Sequence, residues 1–278
     1  PFGLAGLFVK IYSYLDSLLI RQFHGHEDVG QYAVAYKLTY ALQFLPLTFV
    51  AALYPTMSSA YARGDHEALK RSLMGSLRLM MLTSVPLAAM LSALASPIVL
   101  TLYHQEYAGA IPALQILPWV LIPIFLDFPV GSLLNASHRT GYKTAAMGVT
   151  MIVNAIINVL LIPSMGPTGA AWSAVVSFTM LLIMGAYFIR KELPPVAWCV
   201  SLLVRGGFVA ITTWLAGAVI RDHMPLIMLL LFTGSMSLIL LFLTRLLQVQ
   251  DVLQVLRWLQ RRPKHAEDEA EEQAGTSL

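Results

Sequence analysis

Lys10 and Asp16 share one otherwise apolar stretch, with Tyr12, Ser13, Tyr14 and Ser17 between or beside them. The next apolar stretch carries Tyr36, Lys37, Tyr40 and Gln43. At about 100° per residue, Lys37, Tyr40 and Gln43 nearly share one helical face, with Tyr36 adjacent. Arg78 stands near the start of a third stretch, and Asp127 lies between Pro123 and Pro129 in a fourth. Thr150, Asn154 and Asn158 recur at i+4 spacing in a fifth. Ionisable groups at membrane depth cost about 2.5–3.5 kcal/mol on insertion scales, and they turn toward a bundle interior or a hydrated cavity. Cations there suit an anionic group such as phosphate. Asp16 suits pairing with a lysine or exchange of a proton. The candidate substrate-binding residues are therefore Lys37, Tyr36, Tyr40, Gln43, Lys10 and Arg78. Asp16 and Asp127 are the candidates for ion coupling or a salt bridge. The competing reading is that internal ion pairs and hydrogen bonds only hold the bundle together. Lys10 and Arg78 sit near the inner boundary, where either side chain could instead snorkel to headgroups. The Asn154–Asn158 stripe reads better as packing glue.

The elements that must position these groups are membrane helices. A span needs roughly 20 mostly apolar residues, and eight such segments follow one another with short polar breaks. They cover about 2–20, 29–57, 73–103, 111–135, 144–162, 169–189, 197–220 and 225–246. The 278 residues are 57% hydrophobic and 12% charged, with mean hydropathy +0.69, against about 25% charged in a soluble domain. The apolar runs are continuous rather than alternating, which predicts an all-α integral membrane protein and not a barrel. Prolines recur inside the spans, among them Pro46, Pro55, Pro86, Pro97, Pro118, Pro123 and Pro129. Each kinks a helix, as a rocking transporter requires, though proline is also commoner in membrane helices generally.

Charge sets an expected orientation. Arg63, Lys70, Arg71, Arg139, Lys143, Arg190, Lys191, Arg245, Arg257, Arg261, Arg262 and Lys264 fall on one side. Only Arg21 and Arg221 fall on the other. The positive-inside rule puts the first set in the cytoplasm, with both ends of the chain. The outer loops are too short for a catalytic domain. The chain starts with Pro1 inside a helical pattern, which reads as the C-terminal portion of a longer protein.

Other chemistries find little support. His24, His26, Glu27 and Asp28 have metal-liganding types but no recognised spacing. Glu27 and Asp28 suit a helix N-terminus instead. Phosphate-loop, zinc and nucleophile-elbow signatures are absent. No metal, cofactor, catalytic residue or nucleic-acid partner is expected, beyond H+ or Na+ as a coupling ion. Cys199 is a lone cysteine in an apolar setting. Residues 249–262 read as an amphipathic cytoplasmic helix with Val252, Leu253, Leu256 and Leu259 on its apolar side. Residues 263–278 read as a disordered acidic tail.

Several motifs carry a family likeness. Asp16 precedes the entry Val29, Gly30, Tyr32, Ala35, Lys37; then come Leu53, Tyr54, Pro55 with Ser58 and Ser59. Leu102 to Tyr107 resembles an "lyGxxY" turn with His104 in place of glycine, and Leu161 to Ser173 (LIPSMGPTGAAWS) resembles an "LIPxxGxxGAAxat" turn. In this order the motifs are similar to the second helical bundle of polysaccharide (O-antigen type) exporters in the multidrug/oligosaccharidyl-lipid/polysaccharide exporter superfamily. The resemblance covers 1–191. It implies a fourteen-helix whole protein, with 1–191 as the second six-helix bundle of a MATE-like flippase and 192–247 as two additional helices. It also implies that undecaprenyl-pyrophosphate-linked oligosaccharide is moved from inner to outer leaflet of a bacterial plasma membrane. The implied partners are that lipid-linked oligosaccharide, membrane lipids and a missing N-terminal bundle. Lipid II flippases and cation-coupled multidrug exporters share the superfamily and remain open. A membrane-embedded glycan-assembly enzyme would need acid/base groups at a sizeable non-membrane site, and a scaffold that transports nothing is the remaining alternative.

Overall fold

A computed structural model describes residues 2–247, apart from the side chains of residues 2, 4, 5, 7, 9–13 and 52. The side chain of Lys10, the amphipathic helix expected over 249–262 and the acidic tail lie outside the described residues. Among the described residues every regular element is helical. They form eight rods: α1 (Phe2–His24); α2 (His26–Tyr40) running through a 3-10 turn (Ala41–Gln43) into α3 (Phe44–Ala62); α4 (His66–Ala93) with the short α5 (Ala95–Leu102); α6 (Ala110–Ile116) running through a second 3-10 turn (Leu117–Val120) into α7 (Leu121–Ala136); α8 (Thr140–Met165); α9 (Pro167–Phe188); α10 (Val196–Ile220); and α11 (Leu226–Leu243). By length and composition, seven helices qualify as membrane spans: the α2–α3 and α6–α7 rods, α4, α8, α9, α10 and α11.

The rod ends follow from local chemistry. Asp65 caps α4, its Oδ1 accepting the Ala68 N–H at 2.9 Å. The interval between the expected spans 29–57 and 73–103 is therefore mostly helix, because α3 runs on to Ala62 and a charged first turn starts α4 at His66. Gly25, at φ 91°, makes the one-residue break before α2, where Glu27 and Asp28 occupy the positive N-terminal end. Pro167, Pro195 and Pro225 stand at the starts of α9, α10 and α11, where a missing N–H costs nothing. The third expected span, 73–103, is corrected to two helices. It breaks at Leu94 (φ −96°, ψ 15°), three residues before Pro97, whose nitrogen cannot donate into a continuing helix.

The core runs along α4 and α6–α7. Leu73, Val85, Leu114, Leu117, Leu121 and Phe125 are fully shielded there. Around it, α8 packs against α1 and α9, α7 against α3, α4 and α9, and α10 against α4. On the outer side Leu160, Ile227, Leu231 and Leu243 are 68–74% exposed. Apolar surface on this scale belongs against acyl chains.

One polar knot seats α10 on the core. Ser92 Oγ donates to the Gln115 carbonyl and accepts the indole N–H of Trp119 and of Trp214, each at 3.1 Å. Ser92→Ala orphans both indole donors, and a buried unpaired donor costs about 1–3 kcal/mol. A lowered thermal unfolding midpoint in detergent is the expected result; an unchanged midpoint would show that the knot carries no stability.

Candidate functional site

Asp16 is brought to the meeting point of α1, α2 and α8 and is 5% exposed. Tyr32 Oη donates to its Oδ2 at 2.9 Å, and Asn158 Nδ2 donates to its Oδ1 at 2.6 Å. The same amide donates to Asn154 Oδ1 at 3.0 Å. Asn154 Nδ2 in turn reaches Ser173 Oγ at 3.1 Å and Ser177 Oγ at 3.3 Å on α9. The i+4 spacing of Ala146, Thr150, Asn154, Asn158 and Ile162 places all five on the buried side of α8. A single chain of hydrogen bonds thus ties four helices together. Among the described residues no lysine or arginine pairs with Asp16; its partners are a phenol and an amide. An ionised carboxylate offers about four lone-pair sites, and two donors use only part of that capacity. Asn158 Oδ1 is buried beside it without a hydrogen-bond partner, and Thr150 Oγ1 is likewise unpartnered two turns along α8. The cluster is rich in acceptors and poor in positive charge, the chemistry that receives a proton or a small hard cation.

A row of aromatic rings leads away from this cluster along α2. Tyr32 and Tyr36 have centroids 6.1 Å apart, Tyr36 stacks on Tyr40 at 4.3 Å, and Tyr40 lies 6.5 Å from Phe178 on α9. Lys37 is one residue round the helix from Tyr36 and is exposed, as is Ala41 beyond it. Gln43 ends the 3-10 turn and is half-buried. The described helices therefore shield Tyr36 and Tyr40 in part and leave the Lys37 ammonium uncovered on the outer side of α2.

The other two candidates sit elsewhere. Arg78 is twelve residues into α4, on the seam with α10, where its Nε donates to the Leu246 carbonyl at 2.7 Å. It lines a cavity with Trp198, Ser201, Leu202, Arg205, Arg245 and Leu246, not with the tyrosine row. Asp127 lies in the seam of α7 with α9: its Oδ1 comes within 3.3 Å of the place a Cβ would take at Gly185. The Lys143 chain crosses from α8 onto Gly131, one turn along α7, and its charge acts on Asp127. At the end of α1, His24 pairs with Asp28 at 3.4 Å and meets the Ile162 carbonyl at 2.7 Å through Nε2. That cluster clamps α1 and α2 to α8.

Sequence reasoning missed Tyr32, Ser173 and Ser177 as members of the Asp16 network, and Lys143 as the cation facing Asp127. One signal was present: Ser173 and Ser177 have the same i+4 spacing on α9 as Asn154 and Asn158 on α8.

The MatE family model matches residues 1–160, and the chain belongs to that family. A Haloferax volcanii protein named "Probable low-salt glycan biosynthesis flippase Agl15" is 24% identical over 203 residues, covering 70% of this chain and 43% of that one. A second from the same organism, "Probable flippase AglR", is 29% identical over 207 residues, with 72% and 43% covered. The chain thus spans less than half the length of either relative. Among solved structures, the lipid II flippase MurJ in its inward closed conformation superposes with a TM-score of 0.69 at 13% identity, covering 90% of this chain and 53% of that one. That likeness shows the fold: an all-helical, multi-pass membrane architecture of the MatE type.

Proposed function

We propose that this chain is the second half of a flippase that carries a lipid-pyrophosphate-linked oligosaccharide from the inner to the outer leaflet. In the bacterial setting read from the sequence, the cargo is undecaprenyl-linked and of the O-antigen class. The membrane is the plasma membrane, and both ends of this chain face the cytoplasm. The observation that carries this reading is the continuity of the Asp16 network with the Tyr32–Tyr36–Tyr40 row, beside an uncovered Lys37. A charged headgroup cannot enter hydrocarbon without compensation. Lys37 supplies the counter-charge for pyrophosphate, and Tyr36, Tyr40 and Gln43 supply stacking and hydrogen bonds for sugars. An N-terminal helical bundle, outside this chain, forms the opposite wall, and rocking of the two bundles opens the cavity to each side in turn. Asp16 couples the cycle to H+ or Na+, and the Lys143 charge acts on Asp127.

The names of the relatives support a lipid-linked glycan as cargo, and the MurJ-like fold keeps lipid II as the second reading, since it presents the same pyrophosphate. An uncovered lysine disfavours a cationic drug. The test is Lys37→Gln in the full-length protein. Surface glycan should fall by on the order of tenfold, about 1.4 kcal/mol of lost cargo binding, at unchanged protein level. Wild-type glycan in that strain would overturn the assignment of Lys37. Restored lipid II export, in place of glycan export, would select the second reading.

A further inference from the structure

The seam between α4 and the last two helices holds a second cationic site, set apart from Lys37 and its tyrosines. Three guanidinium groups from three different elements line one cavity of about 150 Å³: Arg78 from α4, Arg205 from α10, and Arg245 from the turn after α11. Among the described residues no carboxylate lines it. Like charges gathered this way repel one another unless an anion sits among them.

Three further observations fix the kind of anion. Arg78 is held in place, since its Nε is spent on the Leu246 carbonyl at 2.7 Å. Arg245 reaches the cavity from a left-handed backbone position, φ 57°, which a non-glycine residue adopts only at a cost. The cavity also combines polar and oily walls. Trp198, in the first turn of α10, lines it together with the buried Leu202 and Leu246. On α10, Val204 next to Arg205 and Phe208 about one turn further along are 65% and 56% exposed. The start of α10 and the end of α11 lie at the same end of the bundle, the end with the basic loops.

We infer that this seam binds an anionic phospholipid of the inner leaflet, with its phosphate among Arg78, Arg205 and Arg245 and its acyl chains along the exposed apolar side of α10. Basic pockets between helices on the cytoplasmic side recognise lipid headgroups through such charge. A soluble phosphate shares the headgroup chemistry but has no use for the exposed apolar side of α10.

The experiment reads retained lipid, so it is independent of whether the transport reading holds. The purified chain is reconstituted with equal phosphatidylglycerol and phosphatidylcholine and washed in detergent, and bound lipid is counted by native mass spectrometry. Phosphatidylglycerol should be retained roughly tenfold over phosphatidylcholine. Millimolar inorganic phosphate should not displace it. The double variant Arg205→Gln/Arg245→Gln, whose two side chains are exposed, should lose the preference, and Arg205→Lys/Arg245→Lys should recover part of it. Lys37→Gln should leave it intact. Equal retention of the two lipids by the wild-type chain, displacement by phosphate, or full preference in the double glutamine variant would each overturn the proposal. If that variant does not fold, the wild-type lipid ratio and the phosphate competition decide alone.

Discussion

Asp16→Asn in the full-length protein is expected to leave the bundle folded and remove the dependence of the proposed transport on the proposed coupling ion. Asparagine keeps the shape of the side chain and one acceptor, so Tyr32 can still donate and the α1–α8 contact survives. What disappears is the negative charge, set in a seam with the unpartnered oxygen of Asn158 close by. Couplings between two ligands typically amount to a 5–150-fold change in affinity, and a loss of about that size in ion-stimulated rate is expected. Asp16→Ala should go further. It leaves the Tyr32 hydroxyl without an acceptor, at about 1–3 kcal/mol for a buried orphan, while the Asn158 amide keeps only Asn154 Oδ1. Alanine should therefore cost stability as well as rate, whereas asparagine costs rate alone. Transport by reconstituted protein, measured against pH and against sodium, separates the two. An Asp16→Asn protein whose ion dependence matches wild type would remove Asp16 from the coupling role.

The second large effect lies at the α8–α9 turn. Gly166, at φ 54°, reverses the chain, and Gly169 then brings the first turn of α9 against the end of α8. A methyl group at 169 would stand 2.7 Å from the Leu161 carbonyl oxygen and 2.8 Å from its carbon. Both obstacles are backbone, so no side-chain rotation relieves them. Gly169→Ala must push α9 off α8 and should destabilise the protein by about 1–3 kcal/mol. It also shifts Ser173 and Ser177 away from Asn154, so loosening should reach the Asp16 network. Gly207→Ala is the matched control, because nothing lies within 4 Å of its Cβ position. Thermal unfolding in detergent should show a lower midpoint for Gly169→Ala alone; equal midpoints for the two variants would show that the turn has slack.

The rods themselves were readable because burial in lipid writes a long apolar run into the sequence, and the short breaks between runs leave few choices. The glycines of LIPSMGPTGAAWS were readable as a motif, and their geometry gives the physical reason: one supplies a positive φ, the other close backbone approach. The 3-10 turn at Ala41–Gln43 was not readable. Alanine, leucine and glutamine are good helix formers, and the distortion falls on them because Pro46, a turn later, cannot donate back to the carbonyl of Leu42. The site was legible in type but not in grouping. Asp16 and the asparagines stood out as polar residues in oil, yet their mutual contacts depend on the rotation of α1 against α8, which no single helix encodes. Lys37, Tyr40 and Gln43 were expected on one face, whereas the rings align Tyr32, Tyr36 and Tyr40 and turn Lys37 outward. Arg78 was grouped with Lys37 on charge alone, while long-range packing carries it to α10 and the Leu246 carbonyl.

The hydroxyl of Ser92 serves two indoles from opposite parts of the chain, one beside α7 and one on α10. Withdrawing α10 by even a few ångströms would strip Trp214 of that acceptor and leave Trp119, whose partner stays on α4, as the only indole on Ser92. Their ultraviolet emission therefore provides an intrinsic optical gauge of whether the final pair of helices is seated, readable in a vesicle without attaching a dye.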